Sequence, residues 1–104
     1  MIKAEFFYAN DRIFAFKIYN HGDPIVCSAV SALCTNTVNS IITFTDENFD
    51  CKYEEGSGGL YFHSSFLKKG GKNYEAELFL KSLLMGLKDL QESYPDDLKV
   101  GGEM

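Results

Sequence analysis

Residues 12–31 read RIFAFKIYNHGDPIVCSAVS, a strand that runs through a tight loop into a helix. Ile13, Phe14, Phe16 and Ile18 alternate imperfectly with Arg12, Ala15, Lys17 and Tyr19, the pattern of a strand with one wet face. Asn20-His21-Gly22-Asp23-Pro24 is dense in loop formers. Asp23 fits a helix N-cap, and Pro24 fits the first helical position, where its missing N–H costs nothing. From Ile25 the apolar residues Val26, Val30, Leu33, Cys34, Val38, Ile41 and Ile42 recur at helical spacings and predict a broad buried face. The second half, TNTVNSIITFT, is a weak helix former. A helix to about Thr43 is expected, with a strand as the alternative.

Working outward, residues 2–8 (IKAEFFY) form a strand, and Asn10-Asp11 supplies the turn of a hairpin with 12–19. Residues 49–54 and 60–66 are two more strand candidates across Gly56-Ser57-Gly58-Gly59. That glycine run lacks the GxxxxGK[ST] pattern of a phosphate loop and opens no helix. A second helix is expected over about 74–94. Asn73 would cap it, a stripe through Ala76, Phe79, Leu80, Leu83, Leu87 and Leu90 would bury it, and Pro95 would stop it. Glu77–Lys81 and Lys88–Glu92 read as solvent-face pairs. Gly86 costs ~1 kcal/mol relative to Ala in a helix and suggests a close approach by another element.

The order is ββαββα. The expected fold class is α+β, a two-layer sandwich of a mostly antiparallel four-stranded sheet with two helices on one face. A single domain over residues 1–104 is expected, with a frayed tail from about Lys99.

Composition agrees. The chain has 104 residues, 45% hydrophobic and 24% charged, ordinary globular values that exclude disordered, collagen-like and coiled-coil classes. The longest apolar runs, SLLMGL and VCSAVSALC, fall well short of the ~20 residues of a membrane span. No leader pattern opens the chain, so a cytoplasmic, membrane-free protein is expected. The net charge of −5 has the wrong sign for unspecific binding to nucleic acid. Lys68, Lys69 and Lys72, around Gly70-Gly71, read as a solvated turn. The three cysteines are an odd number and read as reduced thiols. Cys27 and Cys34, two helical turns or ~10 Å apart, are too distant to bridge. No CxxC or HxxxH spacing joins His21 or His63 to the cysteines, so neither metal nor cofactor is expected.

The chemically loaded segment is 20–31. A cysteine in the first turns of a helix meets N–H groups and a dipole that favour thiolate. A nearby imidazole can take its proton and return it to a leaving amine. Asp23 would oppose a thiolate if its carboxylate lay close. Cys27 as a buried small hydrophobe beside a loop histidine is the bland alternative. Leu33 stands where a tyrosine-phosphatase loop needs Arg, and no GxSxG elbow is present to support a serine triad.

This segment resembles the ribosomal-processing cysteine proteases, the Prp family. Their hallmark is a Gly-His at a strand end, a loop, and a D-I-V-C-A-x-x-S-A-L helix start. Here Pro24-Ile25-Val26-Cys27-Ser28-Ala29-Val30-Ser31-Ala32-Leu33 overlays that start and His21 takes the place of the family histidine. The likeness extends to the opening hairpin, the Gly-rich second hairpin with Tyr61-Phe62-His63, the leucine-rich final helix, and Tyr94-Pro95 with Leu98-Lys99-Val100. Three departures stand out. The family Gly is Asn20, the acid sits at Asp23 instead of position 24, and the His-to-Cys interval is shorter than in many members.

The resemblance implies a bacterial cysteine endopeptidase that removes the N-terminal extension of large-subunit ribosomal protein twenty-seven and works as a homodimer. Cys27 would be the nucleophile and His21 the general base. Gly22, Asp23 and Ser31 would be supporting residues, although Ser31 also reads as a helix-face serine bonded back to a carbonyl. His63, Cys34 and Cys51 match no catalytic position of the family. The competing reading is a non-catalytic α/β module that binds a ribosome-related protein without cutting it.

Overall fold

The computed structural model describes residues 1–47, 49–56, 59–66 and 74–103. Its elements are β1 (Ile2–Ala9), β2 (Arg12–Asn20), α1 (Pro24–Phe44), β3 (Phe49–Gly56), β4 (Gly59–Phe66), α2 (Tyr74–Ser93) and β5 (Leu98–Glu103). The expected cap at Asn73, the Lys68–Lys72 turn and the tip of the second hairpin at 57–58 lie outside the described residues.

The first hairpin forms as its residues dictate. Asn10 and Asp11 both take left-handed backbone angles, φ 53° and 63°, the pair a two-residue turn needs to match the strand twist. The imperfect alternation in β2 has a structural cause. The β1–β2 register shifts between Phe7 and Tyr8, which pair with Ala15 and Ile13, so Phe14 is the extra residue of a bulge. Ile13 therefore joins the same core as Phe16 and Ile18 despite its opposite parity.

The sheet corrects the expectation. It has five strands in the order β3-β4-β2-β1-β5. It is mixed, because β5 runs parallel to β1, with Ile2 opposite Leu98 and Phe7 opposite Glu103. The supposed frayed tail is thus an edge strand. Leu98 is fully buried, whereas Lys99 is exposed. The 2–8 segment gains a second partner, and Ile2 N donates to Asp97 O at 2.8 Å.

Two crossovers follow from this order. The β2–α1–β3 and β4–α2–β5 connections each join parallel strands, the first passing over one intervening strand and the second over two. They travel in opposite directions across the sheet on strands of opposite sense. The right-handed rule then places both helices on the same face. Val26, Val30, Cys34, Val38 and Ile41 of α1 and Ala76, Leu80, Leu83 and Leu87 of α2 meet Ile2, Ala4, Phe6, Phe16 and Ile18 there in one core. By length and composition α1 is apolar enough to cross a membrane, which the run-length reading did not register. Its buried stripe packs on this sheet. The helix persists through its weak half because that stripe continues to Ile41, and buried Thr37 bonds its hydroxyl back to Leu33 O at 2.8 Å. The opposite sheet face carries Lys3, Glu5, Lys17 and Tyr19, and the Tyr19 hydroxyl donates to Glu5 at 2.6 Å.

Gly86 lies where α2 approaches α1. An added methyl would meet Leu33 Cδ1 at 3.5 Å, ordinary van der Waals contact. Glu77 departs further from expectation. It is a buried acid rather than a solvent-face partner of Lys81. Its carboxylate accepts from Arg12 Nε and from Ile13 N, each at 3.0 Å, pinning the bulged start of β2 to α2. Glu77→Ala would leave the Ile13 amide and the Arg12 guanidinium without this acceptor. Urea unfolding should show a loss of about 2–4 kcal/mol, with a smaller loss for Glu77→Gln. Unchanged stability in Glu77→Ala would contradict the pin.

Candidate active site

The site is assembled where β2 ends and α1 begins. Asn20 closes the strand with φ 72°. This left-handed conformation is the one that glycine adopts freely and that Asn tolerates better than most residues. Asn20 can thus meet a backbone requirement that Gly would also satisfy.

Asp23 caps α1 as expected. Its carboxylate accepts from Ile25 N at 2.9 Å, and Pro24 occupies the first helical position. The acid is therefore committed to the helix start, and its main-chain oxygen accepts from Cys27 N at 2.9 Å. The Cys27 amide closes the first helical bond and is not free to hold an oxyanion.

Cys27 is half-buried and packs against the core's edge. Its sulfur faces the loop. Gly22 N donates to Cys27 Sγ at 3.5 Å, and Sγ lies 3.7 Å from Gly22 O, within reach as a thiol donor. The loop backbone thus folds back over the thiol of the helix it precedes. Gly22 also lies close to a second neighbour. A Cβ at this position would stand 3.0 Å from the main-chain oxygen of Asp97.

The structure brings together Cys27, Gly22 and Asp23, with His21 next to Gly22 in the chain. His21 is exposed, and among the described residues it has no hydrogen-bond or ion-pair partner, Cys27 included. Ser31 is half-buried one helical turn beyond Cys27 and shares its face. Among the described residues its hydroxyl makes no hydrogen bond, so the back-bonding alternative is not realised. Asp97, the residue before β5, was missed by sequence reasoning. Its side chain accepts from Asp23 N at 3.3 Å. Its sequence distance from the loop leaves no local signal, and only the β1–β5 pairing brings it there.

The other thiols differ in kind. Cys34 is fully buried on α1, and burial pushes its thiol up, with a smaller push from Cys51. All three cysteines are free. Among the described residues no group of three or more His, Cys, Asp or Glu converges on a point where a metal ion would sit.

Known proteins share this fold and sequence pattern. The model of the family described as cysteine protease Prp matches residues 1–99. A ribosomal processing cysteine protease Prp of Staphylococcus aureus strain Mu50 is 32% identical over 80 residues, which cover 77% of this chain and 72% of that protein. Its counterpart in Bacillus subtilis strain 168 is 27% identical over 82 residues, or 77% and 71% of the two chains. Among solved structures, the essential ribosomal processing protease Prp from S. aureus, in complex with a covalently linked product peptide, superposes with a TM-score of 0.87 at 27% identity. That match covers 99% of this chain and 100% of the other.

A two-layer fold with a thiol at a helix start belongs here to a cysteine protease. The chain is a member of the Prp family.

In the folded protein, iodoacetamide at about pH 8 should modify Cys27 well before Cys34, by a factor of about 10 or more, because a buried thiol with its proton held on is inert. Peptide mapping after partial labelling checks the order. Equal labelling of Cys27 and Cys34 would contradict the geometry.

Proposed function

We propose that this chain is a processing endopeptidase that trims the N-terminal extension of large-subunit ribosomal protein twenty-seven, with Cys27 as nucleophile and His21 as general base. The observation that carries this reading is the Cys27 sulfur at the start of α1, facing the His21–Asp23 loop with the Gly22 N–H 3.5 Å away. The relatives are named for ribosomal processing, and one structure holds a covalently linked product peptide.

In this mechanism Cys27 Sγ gives up its proton to His21 and attacks the scissile carbonyl of an extended peptide. The carbonyl π electrons move to oxygen, and the tetrahedral intermediate collapses to a thioester as His21 protonates the departing amine. Water, deprotonated by His21, then attacks the thioester. The acid product leaves, and the thiolate recovers its proton. The Gly22 N–H is the donor placed to follow charge from sulfur to the oxyanion. Exposed His21 has no partner acid among the described residues, which favours a dyad over a triad. Asp23 serves through the helix start it caps, and Ser31 lines the same helix face. No cofactor enters these steps. The partner is the precursor protein, which places the reaction in the cytoplasm.

A homodimer is part of this proposal. Ile42, Phe44, Leu78 and Met85 expose large apolar side chains on the two helices, more than a monomer gains from leaving in water. Sedimentation at micromolar concentration should give twice the chain mass, and a monomer would count against it.

The decisive assay incubates the enzyme with the precursor and reads its N-terminus by mass spectrometry. Wild type should trim it, and Cys27→Ala and His21→Ala should lose at least about 100-fold in kcat/KM. A genuine extension left intact by wild type would reduce the chain to a binding module, and equal trimming by Cys27→Ala would overturn Cys27 as the nucleophile.

A further inference from the structure

We infer that Asp97 is a positioning residue that holds the His21–Asp23 loop over the Cys27 sulfur. This rests on the reading of Cys27 and that loop given above. The turn after α2 is itself fixed, with Asp97 N on Tyr94 O at 3.1 Å and Leu98 N on the same oxygen at 3.2 Å. From that base Asp97 uses two groups for two purposes. Its main-chain oxygen accepts from Ile2 N at 2.8 Å and registers β1 against β5. Its carboxylate accepts from Asp23 N at 3.3 Å, and its Cβ and Oδ1 form the wall against which Gly22 packs.

The strand-forming bond is therefore independent of the side chain. The side chain bonds Asp23 and packs against Gly22, and it is the Gly22 N–H that reaches Cys27 Sγ. Releasing Asp23 N frees the loop to swing, and Gly22 N–H then loses its fixed aim at the sulfur. The consequence falls on the reacting geometry more than on substrate capture, because Asp97 touches neither Cys27 nor His21 directly.

The test compares Asp97→Ala with Asp97→Asn, whose amide oxygen can accept the same Asp23 N–H. Two readouts are used: steady-state cleavage of the precursor peptide, and the rate of Cys27 alkylation by iodoacetamide. Asp97→Ala should stay folded and lower kcat by about 3–10-fold with KM within about twofold. It should also slow Cys27 alkylation, and Asp97→Asn should restore both to near wild type. Gly22→Ala pushes on the same seam from the other side and should give a loss that no change at Asp97 to Asn repairs.

Wild-type kcat and alkylation rate in Asp97→Ala would overturn the inference. So would an Asp97→Asn variant as impaired as Asp97→Ala, since charge and not the hydrogen bond would then matter. If Asp97→Ala fails to fold, Asp97→Asn and Gly22→Ala decide between these outcomes. If wild type cuts no precursor, the proposed activity fails, while the alkylation series still decides the role of Asp97.

Discussion

The start of α1 is bonded twice to one residue. The Asp23 carboxylate takes the Ile25 amide and its carbonyl takes the Cys27 amide, so the first turn of the helix and the thiol it carries are fixed together. A cap of this type is worth about 1 kcal/mol to a helix. Its larger effect is positional. It commits an acid that would otherwise oppose a thiolate, and it leaves the sulfur facing a loop whose Gly22 N–H points at it. The same helix then runs across the sheet with Val26, Val30, Cys34, Val38 and Ile41 buried. The core and the site consequently share one element, and a shift of α1 would disturb both.

The sheet supplies the rigid frame for that helix. β2 delivers the loop, β1 lies beside β2, and β5 brings Asp97 to the loop's far side. Glu77 works at the opposite end of β2, where its carboxylate takes the Ile13 amide beside the bulge. A buried carboxylate with two donors is a tolerable cost because both are satisfied. The polar groups that matter most here join elements far apart in sequence.

Much of this was legible from local residue patterns, and the failures have physical reasons. The hairpin at Asn10-Asp11, the cap at Asp23 and the helix from Pro24 all rest on chemistry within a few residues of the feature, and they formed as expected. Cys27 at the helix start followed from the same cap. β5 was not legible because LKVGGE is short, carries two glycines and gains its order from β1 rather than from its own propensity. Glu77 looked like a solvent-face residue because helical spacing cannot report a partner 64 residues away. Asp97 was hidden for the same reason. The Cys27 amide is taken by the helix itself, a bond that follows from N-capping at Asp23.

The central claim is that Cys27 forms a covalent bond to the substrate's carbonyl carbon. Rapid mixing of enzyme with precursor peptide, acid quenching within the first turnover and mass analysis of the intact protein test it directly. The account predicts a protein heavier by the N-terminal fragment, with that fragment mapped to Cys27 as a thioester and absent in His21→Ala over the same interval. Peptide turnover with no acyl-protein at any quench time, or an acyl group mapped to Cys51 or Ser31, would contradict it.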